Sequence, residues 1–138
     1  MTQNEMQTAA KNFAAQWLNK GDEKQETQRF WIELLGEVLG IRNPASYIEF
    51  EKRVMQSKTA RMPSENIEPT RVSERNSSAT GCCHYIDAYI PETKVLIEQK
   101  GLKIDLKKAY GQSDGTVLTP YEQAKRYVND MKASEKPR

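Results

Sequence analysis

Two short segments in which apolar and polar residues alternate constrain the fold of this chain more than any other feature. They occupy residues 84–90 (HYIDAYI) and 95–101 (VLIEQKG), with the polar segment PETK between them. Runs of this length joined by four turn-forming residues predict an antiparallel hairpin. Ile90 then pairs with Val95 across the turn, and this pairing sets the register of both strands.

That register brings two acids and a lysine together. Asp87 lies directly opposite Glu98, and Lys100 shares their face because side chains alternate along a strand. Directly opposed residues have Cβ atoms about 5 Å apart. The other face is apolar and is expected to pack on a core; it consists of Ile86, Ala88, Ile90, Val95 and Ile97.

Two carboxylates at this separation repel each other unless a cation offsets their charge. Mg²⁺ commonly binds one or two carboxylates together with water and a substrate phosphate, and the Gln99 carbonyl is a further candidate ligand. Lys100 could orient or deprotonate a water, or stabilise charge on a phosphate. The pattern favours metal-dependent phosphodiester hydrolysis. The alternative is a solvated strand face, since Glu and Lys are common there.

The N-terminal third predicts two amphipathic helices, over residues 5–19 and 26–39, because apolar residues recur there every three or four positions. Residues 47–55 then predict a strand, with a short helix as the alternative. Near the C-terminus, Thr119, Pro120 and Glu122 form a capping-box pattern that begins a helix running to Met131. Residues 102–111 are expected to form a short helical or irregular link, followed by a turn at 112–115.

The 138 residues predict a single domain. Residues 56–81 have no periodicity and predict a flexible insertion, whose arginines at 61, 71 and 75 either contact DNA or are solvated. The net charge of +2 does not by itself indicate nucleic-acid binding. No signal peptide or membrane span is evident, and the adjacent Cys82 and Cys83 are typical of a reducing compartment. We therefore expect a cytoplasmic protein without membrane contact.

The motif residues resemble a known group of enzymes. Asp87, Glu98-Gln99-Lys100 and the downstream Gln123 and Tyr127 resemble the PD-(D/E)xK nuclease superfamily, including the Gln-x-x-x-Tyr helix of its RecB-like branch. The wider pattern is similar to the N-terminal nuclease domain of MmeI-like (type IIL) restriction–modification proteins. The segments that carry this similarity are ETQRFW at 26–31, IEFE at 48–51, IDAYIP at 86–91, VLIEQK at 95–100 and LTPYEQAKRY at 118–127.

The resemblance implies an α/β fold of the restriction-endonuclease type, with a mixed sheet flanked by helices. It implies that Asp87 and Glu98 bind Mg²⁺, with Mn²⁺ as a substitute, and that Lys100 is the catalytic lysine. Gln123 would face the site from the following helix, and Tyr127 would support it. Ile86 precedes Asp87, where proline is common in the superfamily.

The same resemblance implies a further acid and the partners, and nearby cations are candidates for DNA contacts. An acid from the helical region often joins such sites, and Glu26 and Glu33 are both candidates. Lys103, Lys125 and Arg126 either bind the DNA backbone or form a solvated surface. The expected partners are DNA and, in the same polypeptide, a methyltransferase and a target-recognition region.

One further departure from the family pattern concerns the C-terminus, and two alternative functions fit the same sequence. No strand-like apolar run follows the last helix, so the sheet is expected to lack its last core strand. The first alternative function is a non-catalytic DNA-binding or scaffolding module with the same fold. The second is a protein-interaction fragment built on the N-terminal helices, with the acids merely solvated.

Overall fold

The computed structural model describes residues 1–56 and 83–138. The predicted insertion at 56–81, apart from Gln56, lies outside the described residues, and so do its arginines. The described chain has N-terminal helices, a small antiparallel sheet and a C-terminal helix. The predicted α/β class is therefore confirmed. Within the described ranges, no helix is both long and apolar enough to cross a membrane.

Helix α1 spans Gln3–Gln16. It begins earlier than predicted because Thr2 and Glu5 form a capping box, which satisfies two main-chain N–H groups of the first turn. It also ends earlier than predicted, and Asn19 adopts a positive φ of 63° shortly afterwards. A residue in this left-handed conformation is typical of the chain just beyond a helix.

Helix α2 spans Thr27–Glu33 and continues into a π-helical turn at Leu34–Val38. The second predicted helix is thus found at the expected position, but it widens over its last turn. There the N–H of Leu39 bonds to the carbonyl of Leu34 at 3.1 Å, five residues back. Helix α3, Pro44–Tyr47, follows and leads into the sheet.

The main sheet has the strand order β1-β2-β3, with β1 at Glu49–Met55, β2 at Cys83–Ile90 and β3 at Val95–Ile97. Both pairings are antiparallel. β1 confirms the strand predicted near residues 47–55 and excludes the helical alternative. Ile90 pairs with Val95 and Ala88 with Ile97, so the predicted hairpin register is confirmed. β3 ends earlier than predicted, at Ile97.

A second, smaller hairpin precedes the last helix. β4, Tyr110–Gly111, pairs antiparallel with β5, Val117–Leu118. The sequence predicted only its turn, and the expected irregular link ends in β4 instead. Helix α4 spans Pro120–Asp130, and the capping box of Thr119 and Glu122 is confirmed.

Three groups of buried side chains hold these elements together. The first joins the sheet to α4 through Val54, Ile86, Tyr89, Tyr127 and Met131. The second joins the sheet to the N-terminal helices through Leu35, Ile48, Ala88 and Ile90, and the third lies among the helices at Phe13, Trp17 and Val38. The expectation that Val95 is a core residue is wrong. It is exposed, because it begins the edge strand directly after the turn.

Candidate active site

Glu98 is the most unusual side chain of the site. It follows the last residue of β3, and its side chain is only 6% exposed. The Lys100 ammonium donates a hydrogen bond to Oε1 at 2.7 Å, whereas Oε2 is buried and has no hydrogen-bond partner within residues 1–56 and 83–138. Burial raises the pKa of Glu98 to about 7, the hydrogen bond from Lys100 opposes this shift, and the charge of Asp87 adds to it.

Asp87 lies in the middle of β2 and explains why β3 is short. Its Oδ2 accepts a hydrogen bond from the main-chain N–H of Gln99 at 2.7 Å. The side chain thus takes an N–H group that a longer strand could have used in the sheet. Burial raises the pKa of Asp87, and the bond from Gln99 and the charge of Lys100 act in the opposite direction.

Lys100 is held in its charged form. Burial would lower the pKa of its ammonium, but the hydrogen bond and charge of Glu98 outweigh burial, so the pKa is raised. The charge of Asp87 also favours protonation. The structure therefore brings Asp87, Glu98 and Lys100 into one electrostatically coupled group, as the hairpin register predicts.

This group has an excess of negative charge, and one of its carboxylate oxygens has no donor in the part of the chain that the structure describes. Across residues 1–56 and 83–138, no three His, Cys, Asp or Glu side chains converge closely enough to hold a metal ion by themselves. Mg²⁺ does not require three, because it keeps several waters and uses one or two carboxylates with substrate phosphate. The Asp87–Glu98 pair fits that mode of binding. The side-chain carbonyl of Gln99 accepts a hydrogen bond from the Trp31 indole, so the main-chain carbonyl of Gln99 is the candidate for a further metal ligand.

Gln123 and Tyr127 reach the same region from α4. The Gln123 amide lines a cleft together with Lys100, and it donates a hydrogen bond to the Tyr127 hydroxyl at 2.7 Å. Tyr127 is buried, and burial raises the pKa of its phenol. The ring therefore fixes the Gln123 amide one helical turn away, on the side that faces the cleft.

The two helical acids named from the sequence have local partners. Glu33 accepts hydrogen bonds from the Trp17 indole and from Arg29, at 2.9 Å and 2.6 Å. Glu26 accepts bonds from the main-chain N–H groups of Gly21 and Asp22. Both carboxylates stabilise the N-terminal helices and the turn between them.

Glu23, an acid that the sequence did not single out, is coupled to the site from the turn that precedes α2. Its charge raises the pKa of Asp87 and Glu98, and its Oε2 accepts a bond from the Gly101 N–H at 3.3 Å. No periodicity in the polar link could have identified Glu23, because its position depends on a contact 78 residues away.

Glu51 is a second acid that the sequence did not single out. It lies between Phe50 and Lys52, which pair with Ala88 and Ile86, so it stands beside Asp87. Its φ of 50° is rare for a non-glycine residue inside a strand. Its charge raises the pKa of Asp87.

The three cations predicted to bind DNA differ in their surroundings. Lys103 and Lys125 are exposed to solvent. Arg126 forms an ion pair with Asp114 and donates a bond to the Thr116 hydroxyl at 3.3 Å. Its guanidinium therefore connects α4 to the β4–β5 hairpin.

Residues 8–138 match the protein-family model of the MmeI N-terminal domain. No curated protein and no solved structure matches the chain. The family match spans the N-terminal helices, both hairpins and α4, and it associates the chain with restriction–modification proteins. The chain belongs to the MmeI N-terminal domain family.

Proposed function

We propose that this chain is the DNA-cleaving module of a restriction–modification protein and that it hydrolyses phosphodiester bonds with Mg²⁺. One observation carries the proposal: Glu98 is almost fully buried, yet its Oε2 has no hydrogen-bond partner among the described residues, while Asp87 and Lys100 are beside it. A buried carboxylate oxygen without a donor is costly for a fold to keep. A bound cation would remove that cost.

Asp87 and Glu98 would hold Mg²⁺, or Mn²⁺ in its place, and the main-chain carbonyl of Gln99 would be a further ligand. When bound, the ion would lower the pKa of a coordinated water and polarise the phosphate oxygens. The two carboxylates come from the middle of β2 and from the residue that directly follows β3, so the sheet sets their separation. A site built on strands is positioned more accurately than one built on loops.

Lys100 would contribute a fixed positive charge. Its ammonium now bonds to Glu98 Oε1, and the charges of Glu98 and Asp87 keep it protonated. From this position it can stabilise negative charge that develops on a phosphate oxygen. Gln123, held by Tyr127, can donate a hydrogen bond to the same phosphate or to the attacking water.

The family and the motif residues support the wider assignment. We place the chain in the PD-(D/E)xK superfamily, with DNA as substrate and with a methyltransferase and a target-recognition region in the full-length polypeptide. Lys103 and Lys125 are exposed and can contact the DNA backbone, which releases counterions and strengthens binding. Such a protein would act on DNA in the cytoplasm.

Plasmid nicking by purified protein tests this function. Wild-type protein should nick DNA with Mg²⁺ or Mn²⁺ and stop when the ion is chelated. Lys100→Ala should lower the rate by about 10² or more, the range for loss of a charged group acting on the transition state. Lys11→Ala, which removes an exposed lysine from α1, should leave the rate unchanged.

Equal nicking by wild type and Lys100→Ala would remove Lys100 from the reaction. DNA binding by the wild type without nicking in either ion would favour the non-catalytic module instead.

A further inference from the structure

A partly enclosed cleft of about 220 Å³ opens beside the proposed reactive group. Lys100 and Gln123 line one side of it, and Ile104, Tyr110, Gln112 and Leu118 line the other. Four of these six residues therefore belong to neither the acid pair nor its lysine or glutamine. The opposite side comes from the link after Lys100 and from β4–β5, which we call the outer hairpin (residues 110–118).

The chemistry of the two sides differs. The side nearer the reactive group presents the Lys100 ammonium and the Gln123 amide, which suit a phosphate, and the Glu23 carboxylate, which repels one. The opposite side presents aliphatic surface from Ile104 and Leu118 beside an aromatic ring and the Gln112 amide. Aliphatic and aromatic surface with one hydrogen-bonding amide suits the sugar and base of a nucleotide.

The size of the cleft limits what can enter it. Pockets for drug-sized ligands usually measure about 300–1,000 Å³, so this one is too small for a segment of paired duplex. A single sugar and base is a better match. A base can reach such a cleft only after it leaves its stack, which costs least when the nucleotide is unpaired or mismatched.

Polar contacts fix the outer hairpin in place. Arg126 on α4 forms an ion pair with Asp114 in the hairpin turn and bonds to Thr116. The turn is closed by Gln112 and Thr116, whose main-chain N–H and carbonyl bond at 2.7 Å. The same helix carries Gln123, so one rigid element positions both sides of the cleft.

We propose that this cleft binds the unstacked sugar and base of the nucleotide next to the cleaved phosphate, with the outer hairpin as its wall. The proposal rests on the proposed function, because the phosphate at Lys100 determines which nucleotide faces the cleft. It predicts that DNA with an unpaired nucleotide at the cut position is cleaved faster than fully paired DNA.

Two neighbouring residues of β5 provide a matched pair of variants. Leu118 lines the cleft, whereas Val117 points to the other side of the strand and is 64% exposed. Leu118→Trp would fill the cleft, and Val117→Trp would add the same ring outside it. Gln112→Ala is a milder cleft variant in case Leu118→Trp does not fold, and thermal melting verifies the fold of each.

Binding is measured without cutting, by the anisotropy of a short single strand that carries the fluorescent base 2-aminopurine, with metal chelated. Wild type and Val117→Trp should bind equally, whereas Leu118→Trp should bind about tenfold more weakly, as expected for the loss of one stacked base. Gln112→Ala should weaken binding less. A second assay compares the cleavage rates of mismatched and paired duplexes.

The outcomes separate the two proposals. Equal binding by folded Leu118→Trp and Val117→Trp, or no binding by the wild type, overturns the cleft assignment even if plasmid nicking occurs. Equal cleavage rates for mismatched and fully paired duplexes would overturn the proposal that the base leaves its stack. If binding depends on Leu118 but no metal ion supports nicking, the cleft stands as a nucleotide site and the proposed hydrolysis fails.

Discussion

The two hairpins of this protein are built in different ways. β2–β3 carries Asp87 at its centre, and its β2 contributes Ile86 and Ala88, both completely buried, to two core groups. β4–β5 has only two residues in each strand, and its turn is held by an exposed ion pair. Hydrophobic burial thus positions the reactive group, whereas polar contacts position the wall of the cleft. Loss of a contact should therefore cost more global stability in the first hairpin than in the second.

The largest effect on stability within the first hairpin should come from Glu98. Its pKa is about 7 in the folded protein, above the usual value of 4.5, so the folded protein holds a proton that the unfolded chain releases. The free energy of unfolding should therefore fall as the pH rises from about 4.5 to 7, by on the order of 1–3 kcal/mol. Denaturant titrations without divalent ions measure this fall.

Glu98→Gln should remove most of that pH dependence, and Glu92→Gln in the exposed turn of the same hairpin should not. Comparing each variant with the wild type also cancels the opposite contribution of His84, whose pKa is lowered by burial. If Glu98→Gln and the wild type lose stability in parallel, the carboxylate does not titrate in this range.

The smallest effect should come from the outer hairpin. Arg126→Met removes the ion pair with Asp114, and exposed ion pairs contribute little to global stability. The expected change is a roughly two- to fivefold rise in KM for DNA, with kcat nearly unchanged, because only the wall of the cleft loosens.

Steady-state cleavage assays measure this separation of KM from kcat. Asp114→Asn, which breaks the same ion pair but makes the surface more positive, should also raise KM, whereas a pure effect of positive charge on DNA binding would lower it. A fall in kcat equal to the rise in KM would contradict a positioning role.

The contrast between the hairpins also explains what the sequence could predict. Apolar and polar residues alternate over residues 84–90 and 95–97, and this alternation is a local signal that arises because one face of each strand is buried in the core. The strands, their register and the position of the acid pair were therefore predictable. Strands of two residues are too short to show alternation. The position of the outer hairpin depends on the ion pair between Arg126 and Asp114, and no sequence pattern predicts that contact.

The early end of β3 and the position of Glu23 were unpredictable for a similar reason. Strand pairing stops at Ile97 because the Asp87 carboxylate takes the N–H of Gln99. Glu23 reaches the site because its turn lies against Gly101. Both are single tertiary hydrogen bonds, and neither repeats along the chain as a periodic pattern does.

Calorimetric titration with Mn²⁺ most directly tests whether Asp87 and Glu98 hold a divalent ion. The wild type should bind with measurable heat, and Asp87→Asn and Glu98→Gln should each weaken the affinity by about tenfold or more, since each removes one of two charged ligands. Glu92→Gln should bind like the wild type. Unchanged affinity in both site variants, with their folds intact, would show that the buried carboxylate pair is not a metal site.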